Sequence, residues 1–175
     1  MAHEVPPLDA LAQGALAQGT RIPAGRAPMD LALDAAREAA RLGEVPVGAV
    51  VTDAAGLVLS VAGNRMCASR DAAAHAELTA MRKAAQLTRH GRLENCTLWV
   101  TLEPCPMCAA GAGLYRMRRI CFGAYDPKGG GIDHGPRVFQ TMPHGFRPEI
   151  IGGIQEREST TLLQTFFRML RDGDS

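Results

Sequence analysis

The chain has 175 residues, of which 46% are hydrophobic, and a formal net charge of +1 at pH 7. This length suits one domain with a sizeable core and argues against a second independent domain. No apolar run approaches the roughly 18 residues of a transmembrane helix, and the N-terminus lacks the features of a secretory signal, so we expect a cytoplasmic protein without a membrane partner.

The first predicted elements are an extension and a helix. Residues 1–28 are rich in Ala, Gly, Pro and Gln without sustained periodicity, which predicts a disordered N-terminal extension before a single domain over 29–172. Asp30 is expected to cap a helix that runs through Leu42, and Gly43 is expected to stop it.

The remaining elements alternate between strands and helices. We predict strands over 47–52, 57–61, 97–101, 119–123 and 149–151, and helices over 72–86, 106–117 and 155–171. Two strand-to-helix passages in succession favour an α/β fold with three α/β/α layers and a central mixed sheet of about five strands. A long loop without secondary structure is expected over 126–147, and loops of that length are often functional.

Two short motifs about thirty residues apart carry the chemistry of this sequence. His75-Ala76-Glu77 supplies an imidazole and a carboxylate, and Pro104-Cys105-Pro106-Met107-Cys108 supplies two thiols. Structural zinc sites normally have four protein ligands, whereas hydrolytic sites have three and leave the fourth position to water. One His and two Cys make three ligands, so the sequence predicts a catalytic site with one Zn²⁺ per chain.

Each motif is predicted to lie at the start of a helix. Glu77 is expected beside a zinc-bound water, where it can take a proton as the water becomes hydroxide and pass it to the substrate. The spacing of Cys105 and Cys108 places both sulfur atoms on one side of a first helical turn, where the helix dipole and the metal lower the thiol pKa. Glu103 is predicted either to favour that dipole or to take part directly in catalysis.

Two other interpretations of the cysteine motif remain open. A strand followed by Cys-x-x-Cys at a helix start is also typical of a thioredoxin-like redox protein, although this leaves His75-Ala76-Glu77 unexplained. A noncatalytic RNA-binding module with a structural zinc would need a fourth ligand, which Cys121 or a second His could supply. The other cysteines, Cys67, Cys96 and Cys121, do not make a disulfide framework and are expected to be free thiols.

Positive charge is concentrated in the segment that carries both motifs. Residues 64–140 contain 11 Lys or Arg against 6 Asp or Glu, whereas residues 1–63 contain 4 against 7 and residues 141–175 contain 4 against 5. This excess of positive charge would allow phosphate binding near the site. An ordinary solvated surface is an equally good explanation of it.

The two motifs match the signature of zinc-dependent base deaminases, and further segments make the chain resemble the bacterial tRNA-specific adenosine deaminases. These segments cover roughly residues 29–171 in the family's order: Glu44-Val45-Pro46-Val47-Gly48-Ala49-Val50, Gly63-Asn64-Arg65, Val100-Thr101-Leu102-Glu103-Pro104, Phe122-Gly123-Ala124-Tyr125-Asp126-Pro127-Lys128 and Phe166-Phe167-Arg168. The resemblance implies a cytidine-deaminase-like fold and conversion of the wobble adenosine of an arginine tRNA anticodon to inosine. It also implies a homodimer whose partner is tRNA rather than DNA.

The resemblance further implies a role for each site residue. Zinc held by His75, Cys105 and Cys108 would generate hydroxide that attacks C6 of adenine, while Glu77 protonates N1 and later the leaving ammonia. The residues expected to line the base pocket are Val45, Asn64 and the backbone of Ala76. The residues expected to reach the anticodon loop are Asp126, Lys128, Phe167 and Arg171.

The nearest alternative is a deaminase of the same fold that acts on a free base or nucleoside such as guanine or cytosine, since it would share both zinc motifs. The segments 122–128 and 166–168 favour the tRNA enzymes. The sequence departs from the family at Asp71-Ala72-Ala73-Ala74, where Asp-Pro-Thr often precedes Ala-His-Ala-Glu. We expect this change to loosen the start of the helix and to leave every ligand in place.

Overall fold

The structure, a computed structural model, describes residues 19–142 and 145–173. This part of the chain forms five strands and six helices. The strands are β1 (Gly48–Thr52), β2 (Val58–Gly63), β3 (Thr97–Leu102), β4 (Arg119–Ala124) and β5 (Glu149–Ile151). The helices are α1 (Pro28–Arg41), α2 (Met66–Ser69), α3 (Ala76–Gln86), α4 (Pro106–Leu114), α5 (Val138–Thr141) and α6 (Glu156–Gly173).

All five strands form one mixed sheet in the order β2-β1-β3-β4-β5. Strand β1 pairs antiparallel with both β2 and β3, whereas β3, β4 and β5 run parallel to one another. The turn between β1 and β2 is tied by Asp53, whose carboxylate accepts the N–H groups of Ala55 and Leu57. The predicted mixed sheet of about five strands is confirmed.

The two faces of the sheet bury different helices. Successive side chains of a strand point to opposite faces, so Ala49 and Val51 of β1 join a core built with α3 and α4. Val50, between them, joins a second core built with α1 and α6. The predicted α/β/α layering is therefore confirmed, and α3 and α4 lie together on one face.

Three predicted helix boundaries were wrong. Helix α1 begins at Pro28, and Asp30 is its third residue rather than its cap; the Asp30 carboxylate accepts the N–H of Ala27 at 2.7 Å. Helix α4 ends at Leu114 instead of extending to residue 117. Helix α3 begins at Ala76, four residues later than predicted, which leaves His75 at the N-cap with an extended backbone.

Two short helices were missed. Helix α2 lies between β2 and α3, and α5 lies within the loop that was predicted to have no secondary structure over 126–147. Pro143 and His144 of that loop lie outside the described residues. Helices of four residues are too short to show an apolar period in the sequence, so the prediction had no signal for them.

The predicted extension over 1–28 falls only in part on described residues. Residues 1–18 lie outside them. Thr20 forms a bridge with Val58, in which each backbone N–H donates to the carbonyl of the other residue at 2.8 and 3.1 Å. Thr20 is therefore hydrogen-bonded to the first residue of β2, and the predicted boundary at residue 29 stays a prediction.

The longest described helix, α6, packs on the rest of the domain through apolar residues. Phe166 is buried, and Leu162 packs on the core between α1 and the sheet. The charged residues of α6 lie near its two ends, at Glu156, Arg157, Glu158, Arg168, Arg171 and Asp172. None of the described helices is both long and apolar enough to cross a membrane.

Gly48 allows α1 to pack directly on β1. A Cβ atom at this position would overlap the carbonyl oxygen of Ala32 and lie 2.6 Å from the backbone nitrogen of Ala36. Backbone atoms cannot move aside as a flexible side chain can. We expect Gly48→Ala to lower the free energy of unfolding by about 1–3 kcal/mol, measured by urea denaturation.

A matched control for this variant is Gly113→Ala. The new methyl group would meet its nearest neighbour at 3.6 Å, an ordinary van der Waals distance, and Ala is the better helix former. This control should be neutral or slightly stabilising. Equal stability of the Gly48→Ala variant and the parent protein would contradict the direct packing of α1 on β1.

Candidate active site

Three side chains with metal-binding atoms converge at the starts of α3 and α4. The Nδ1 atom of His75 lies 3.6 Å from Sγ of Cys105 and 3.5 Å from Sγ of Cys108. The ligand atoms all lie within 4.8 Å of one another. Within residues 19–142 and 145–173, no other group of three or more His, Cys, Asp or Glu side chains is placed to hold a metal ion.

The local backbone explains why these residues meet. His75 and Cys105 are the N-caps of α3 and α4, and both have extended backbones that turn their side chains out of the helix. Pro106 occupies the first position of α4, where its missing N–H costs nothing. Cys108 lies in the first turn of α4 and therefore faces the same space as Cys105.

The distances fit one zinc ion with tetrahedral ligands. Zn–S bonds of about 2.3 Å and Zn–N bonds of about 2.0–2.1 Å at a tetrahedral angle place nitrogen and sulfur about 3.6 Å apart. The two observed N–S separations match this value. Cys121, considered above as a fourth ligand, is buried in β4 and is not part of the group. The described residues thus supply three ligands, the number typical of a hydrolytic site.

Hydrogen bonding divides the charge unequally between the two thiols. The Cys108 thiol donates to Cys105, and this bond together with His75 lowers the pKa of Cys105 to about 4. The same bond and burial raise the pKa of Cys108. The hydrogen bond with Cys105 also raises the pKa of His75. The predicted lowering of both thiol pKa values by the helix dipole and the metal stays a prediction.

Glu77 is a buried carboxylic acid beside the metal ligands. Only 4% of the residue is exposed, and it lies in the first turn of α3. Burial raises its pKa to about 6, and its carboxyl group is hydrogen-bonded to Cys108. A carboxyl group with a pKa near neutrality can both accept and release a proton at physiological pH.

A cleft of about 220 Å³ opens over these side chains. His75, Glu77 and Cys105 lie at one side of it, and its other walls include Val45, Asn64 and Asp126. The structure therefore brings the candidate catalytic residue and two of the three predicted pocket residues to one cavity. Ala76 is fully buried with its side chain in the core, and its predicted backbone contact with the base stays a prediction.

Asn64 is held in the wall of the cleft by a buried carboxylate. Its backbone N–H donates to the carbonyl of Val47 at 2.9 Å, and its Nδ2 donates to Glu44 at 3.4 Å. Glu44 also accepts the N–H of Ala68 at 2.8 Å. These bonds fix both the position and the orientation of the Asn64 amide.

A larger groove of about 810 Å³ adjoins the cleft and shares Val45 and Asp126 with it. One side of the groove is formed by α6, which contributes Phe167 and Arg171, and the other includes Lys128. The four residues predicted to reach the anticodon loop therefore line one continuous surface that leads into the cleft. Sequence spacing alone could not have placed residues about forty positions apart beside each other.

The chain matches known proteins over most of its length. The model of the cytidine and deoxycytidylate deaminase zinc-binding region covers residues 25–124. A tRNA-specific adenosine deaminase from Agrobacterium fabrum is 44% identical over 147 residues, which are 83% of this chain and 95% of the relative. One from Bacillus subtilis is 38% identical over 143 residues, which are 82% of this chain and 88% of the relative. The chain belongs to the tRNA-specific adenosine deaminase family.

Solved structures have the same fold. A structure of tRNA:A34 deaminases, which carry out A-to-I editing at the wobble position of transfer RNA, is 42% identical with a TM-score of 0.75 and covers 78% of this chain and 98% of that one. A guanine deaminase from Nitrosomonas europaea has a TM-score of 0.73 at 19% identity and covers 95% of each chain, which shows the fold alone. The predicted family and its zinc cofactor are confirmed, and the thioredoxin-like interpretation of the two cysteines is wrong.

The departure from the tRNA-specific adenosine deaminase family before His75 is compensated by Asp71. Its carboxylate accepts the N–H of Ala73 at 2.8 Å, and its carbonyl accepts the N–H of Ala74 at 3.0 Å. These two bonds form a turn without a proline, and His75 follows this turn at the start of α3. The expected loosening of the helix start stays a prediction.

Glu103 has hydrogen-bond partners that could not be predicted from the sequence. Its carboxylate accepts backbone N–H groups from the loop that follows β4, and the residue borders the cleft that also contains His75 and Cys105. Burial acts to raise the pKa of Glu103, but the N–H donors of Asp126 and His134 outweigh it and hold the pKa below the ordinary value. Three consecutive glycines at 129–131, which permit a close backbone approach, were the signal available in the sequence.

Proposed function

We propose that the protein deaminates the wobble adenosine of a tRNA anticodon to inosine, with arginine tRNA as the substrate, and releases ammonia. The observation that carries this proposal is the group of His75, Cys105 and Cys108 beside the buried Glu77, in a chain 44% identical to a tRNA-specific adenosine deaminase over 95% of that relative. Hydrolytic deamination requires a metal-activated water and a group that transfers protons, and three metal ligands with one acid in a cleft can provide both.

The metal ligands and Glu77 have different roles in this reaction. His75, Cys105 and Cys108 would hold zinc, which when bound supplies a Lewis acid that activates water. Glu77 accepts a proton from the attacking water at a carboxylate oxygen and donates it to N1 of adenine. It then takes the second proton from the hydroxyl group now on C6 and passes it to the amino group, so that ammonia leaves and a carbonyl oxygen remains on C6. Burial of Glu77 keeps competing water away from this proton.

The walls of the cleft would select and orient the base. Because Nδ2 of Asn64 donates to Glu44, the Oδ1 atom is available to accept a hydrogen bond from the nucleoside. Val45 offers an apolar surface against which the base can pack. An adenine in an anticodon loop is already unpaired, so its entry into the cleft costs less than extrusion from a duplex.

The adjoining groove would bind the rest of the anticodon loop. Phe167 is exposed, and aromatic side chains bind RNA by stacking on unpaired bases. Lys128 and Arg171 carry positive charge for the phosphates, and Asp126 can accept hydrogen bonds from base edges. Lys128 belongs to the segment 64–140 with its excess of positive charge, whereas Arg171 lies outside that segment.

An activity assay with matched substrates tests the proposal. The purified, zinc-loaded protein is incubated with arginine tRNA, with the same tRNA carrying guanosine at the wobble position, and with free guanine and free cytosine. We expect inosine only in the arginine tRNA. Ammonia release from a free base without inosine in tRNA would replace this function with that of a free-base deaminase.

We also propose that the protein is a cytoplasmic homodimer that pairs through α4. This helix contains no charged residue, and Leu114 and Met107 on one side of it are 79% and 39% exposed. They are seven residues apart, which is two helical turns and hence the same side. An apolar helix face in contact with water is typical of a protein–protein interface. Because α4 also carries Cys105 and Cys108, the interface would border the cleft.

Replacing Leu114 with Glu should separate the dimer. A carboxylate buried at an apolar interface without a partner is strongly unfavourable, so we expect a shift from dimer to monomer in light scattering coupled to gel filtration at micromolar concentration. Leu42→Glu is the matched control, since Leu42 is similarly exposed at the end of α1 in the opposite layer. A dimer that survives Leu114→Glu would place the interface elsewhere.

A further inference from the structure

Glu103 joins two parts of the chain through five hydrogen bonds to one carboxylate. Its Oε1 atom accepts the N–H groups of Ile132, Asp133 and His134 at 3.2, 2.8 and 2.9 Å. Its Oε2 atom accepts the N–H of Asp126 at 3.0 Å and the ring Nδ1–H of His134 at 2.7 Å. The side chain is fully shielded from solvent. Both ends of the loop over 126–134 thus donate hydrogen bonds to the carboxylate of Glu103.

This loop forms a wall of both cavities. Asp126 and Gly129 line the cleft over the metal ligands, and Lys128 lines the larger groove. The Asp126 carboxylate is itself used within the loop, where it accepts the N–H groups of Lys128 and Gly129 at 3.1 and 2.9 Å. Any shift of the loop would therefore move its cavity-facing residues together.

The same loop is pressed against the segment that carries Cys105. The N–H of Gly131 donates to the carbonyl of Pro104 at 2.8 Å. A Cβ atom on Gly131 would lie 2.6 Å from the nitrogen of Pro106, and one on Gly130 would lie 2.5 Å from the Glu103 carboxyl group. Backbone therefore packs on backbone here, with Glu103 as the charged group at the centre of the contact.

We propose that Glu103 is a positioning residue that fixes the loop over 126–134 against the metal-ligand segment and so sets the width of the substrate cleft. This inference rests on the proposed function, because the cleft is taken to hold an adenosine in an anticodon loop. Glu103 does not act on the base itself, since all five hydrogen bonds of its carboxylate go to the protein. Its effect is on substrate binding rather than on the chemical step.

Glu103→Gln tests the role with almost no change in side-chain volume. An amide presents one NH₂ group in place of an oxygen, so in either orientation at least two of the five donors lose their acceptor. We expect amide hydrogen exchange at 132–134 to become at least about tenfold faster in the free protein. We also expect KM for arginine tRNA to rise about tenfold while kcat changes by less than about threefold, the pattern of lost uniform binding.

Two further variants complete the experiment. Asp133→Asn changes an exposed side chain of the same loop and keeps the backbone N–H that donates to Glu103, so it should leave exchange and KM unchanged. His134→Ala removes one of the five donors. It should raise KM by about threefold, and it provides the test if Glu103→Gln does not fold. Zinc content is measured in every variant and should stay at one per chain.

The outcomes separate this inference from the function on which it rests. Parent protein that is inactive on arginine tRNA would overturn the proposed function and, with it, the role assigned to Glu103. Active parent protein together with an unchanged KM in Glu103→Gln would overturn the positioning role alone. Unchanged amide exchange at 132–134 would overturn it as well, because the carboxylate would then not be what holds the loop.

Discussion

Replacing Glu77 with Gln is expected to lower kcat for tRNA deamination by about 10²–10⁴-fold. The amide has nearly the same shape as the carboxyl group but can neither accept the proton of water nor donate one to N1 of adenine. His75, Cys105 and Cys108 are untouched, so zinc content should remain at about one per chain. The variant should therefore fold, bind metal and bind tRNA, but turn over slowly.

The measurement that checks this is single-turnover inosine formation alongside metal analysis and a tRNA binding assay. Glu94→Gln makes the same chemical change at an exposed carboxylate, whose ion pairs with Arg92 and Arg116 lie at the surface and contribute little. We expect that variant to match the parent protein. If Glu77→Gln keeps full activity, the proton must travel through another group.

Glu77→Ala adds a second comparison. Truncation leaves a space in which a water molecule can replace the carboxyl group, whereas Gln fills the same space without carrying a proton. Both variants should retain zinc, because Glu77 is not one of the three grouped ligands. If Glu77→Ala loses zinc and Glu77→Gln retains it, the Glu77 side chain has two roles. It then holds the metal ligands in place by packing, in addition to transferring protons.

The metal ligands could be predicted from the sequence because the signals for them are local. A His or Cys at a helix N-cap takes an extended backbone, and the residues within one turn after it share its side of the helix. His75, Cys105 and Cys108 satisfy this rule in the structure. Two helix starts at the same edge of the sheet then bring the ligands together, and that edge follows from the strand-to-helix order.

The two buried carboxylates around the cleft could not be predicted in this way. Glu44 meets Asn64 across 20 residues, and Glu103 meets its loop donors across 23 to 31 residues. No periodicity or short motif records contacts of that range. Only the packing of β3, β4 and the glycine-rich loop shows that Glu103 is fully paired rather than free for catalysis.

The start of α3 shows how local propensity misled the prediction. Ala72, Ala73 and Ala74 favour a helix, and the sequence therefore placed the helix start at residue 72. In the structure, Asp71 satisfies the N–H groups of Ala73 and Ala74 in a turn, so the helix begins only after His75. The difference matters for the site, since an N-cap side chain points away from its helix and toward the other ligands.

Replacing Cys108 with Ser is expected to abolish both metal binding and activity. Serine is nearly isosteric with cysteine, but its hydroxyl group does not provide the thiolate that zinc prefers. We expect zinc to fall from about one per chain to less than about 0.1 after dialysis against a mild chelator, and inosine formation to fall to background. Metal analysis and the tRNA assay on one preparation measure both effects.

Cys121→Ala is the matched control and decides how many ligands the site has. Cys121 is buried in β4, where a free thiol behaves as a small apolar side chain, so Ala should fold with a modest loss of stability. If zinc is held by three protein ligands, this variant keeps one zinc per chain and full activity per bound zinc. If Cys121 were a fourth ligand to a structural zinc, zinc would be lost from both Cys121→Ala and Cys108→Ser. A closed four-ligand site would leave no position for water, and hydrolytic deamination at this metal would then be excluded.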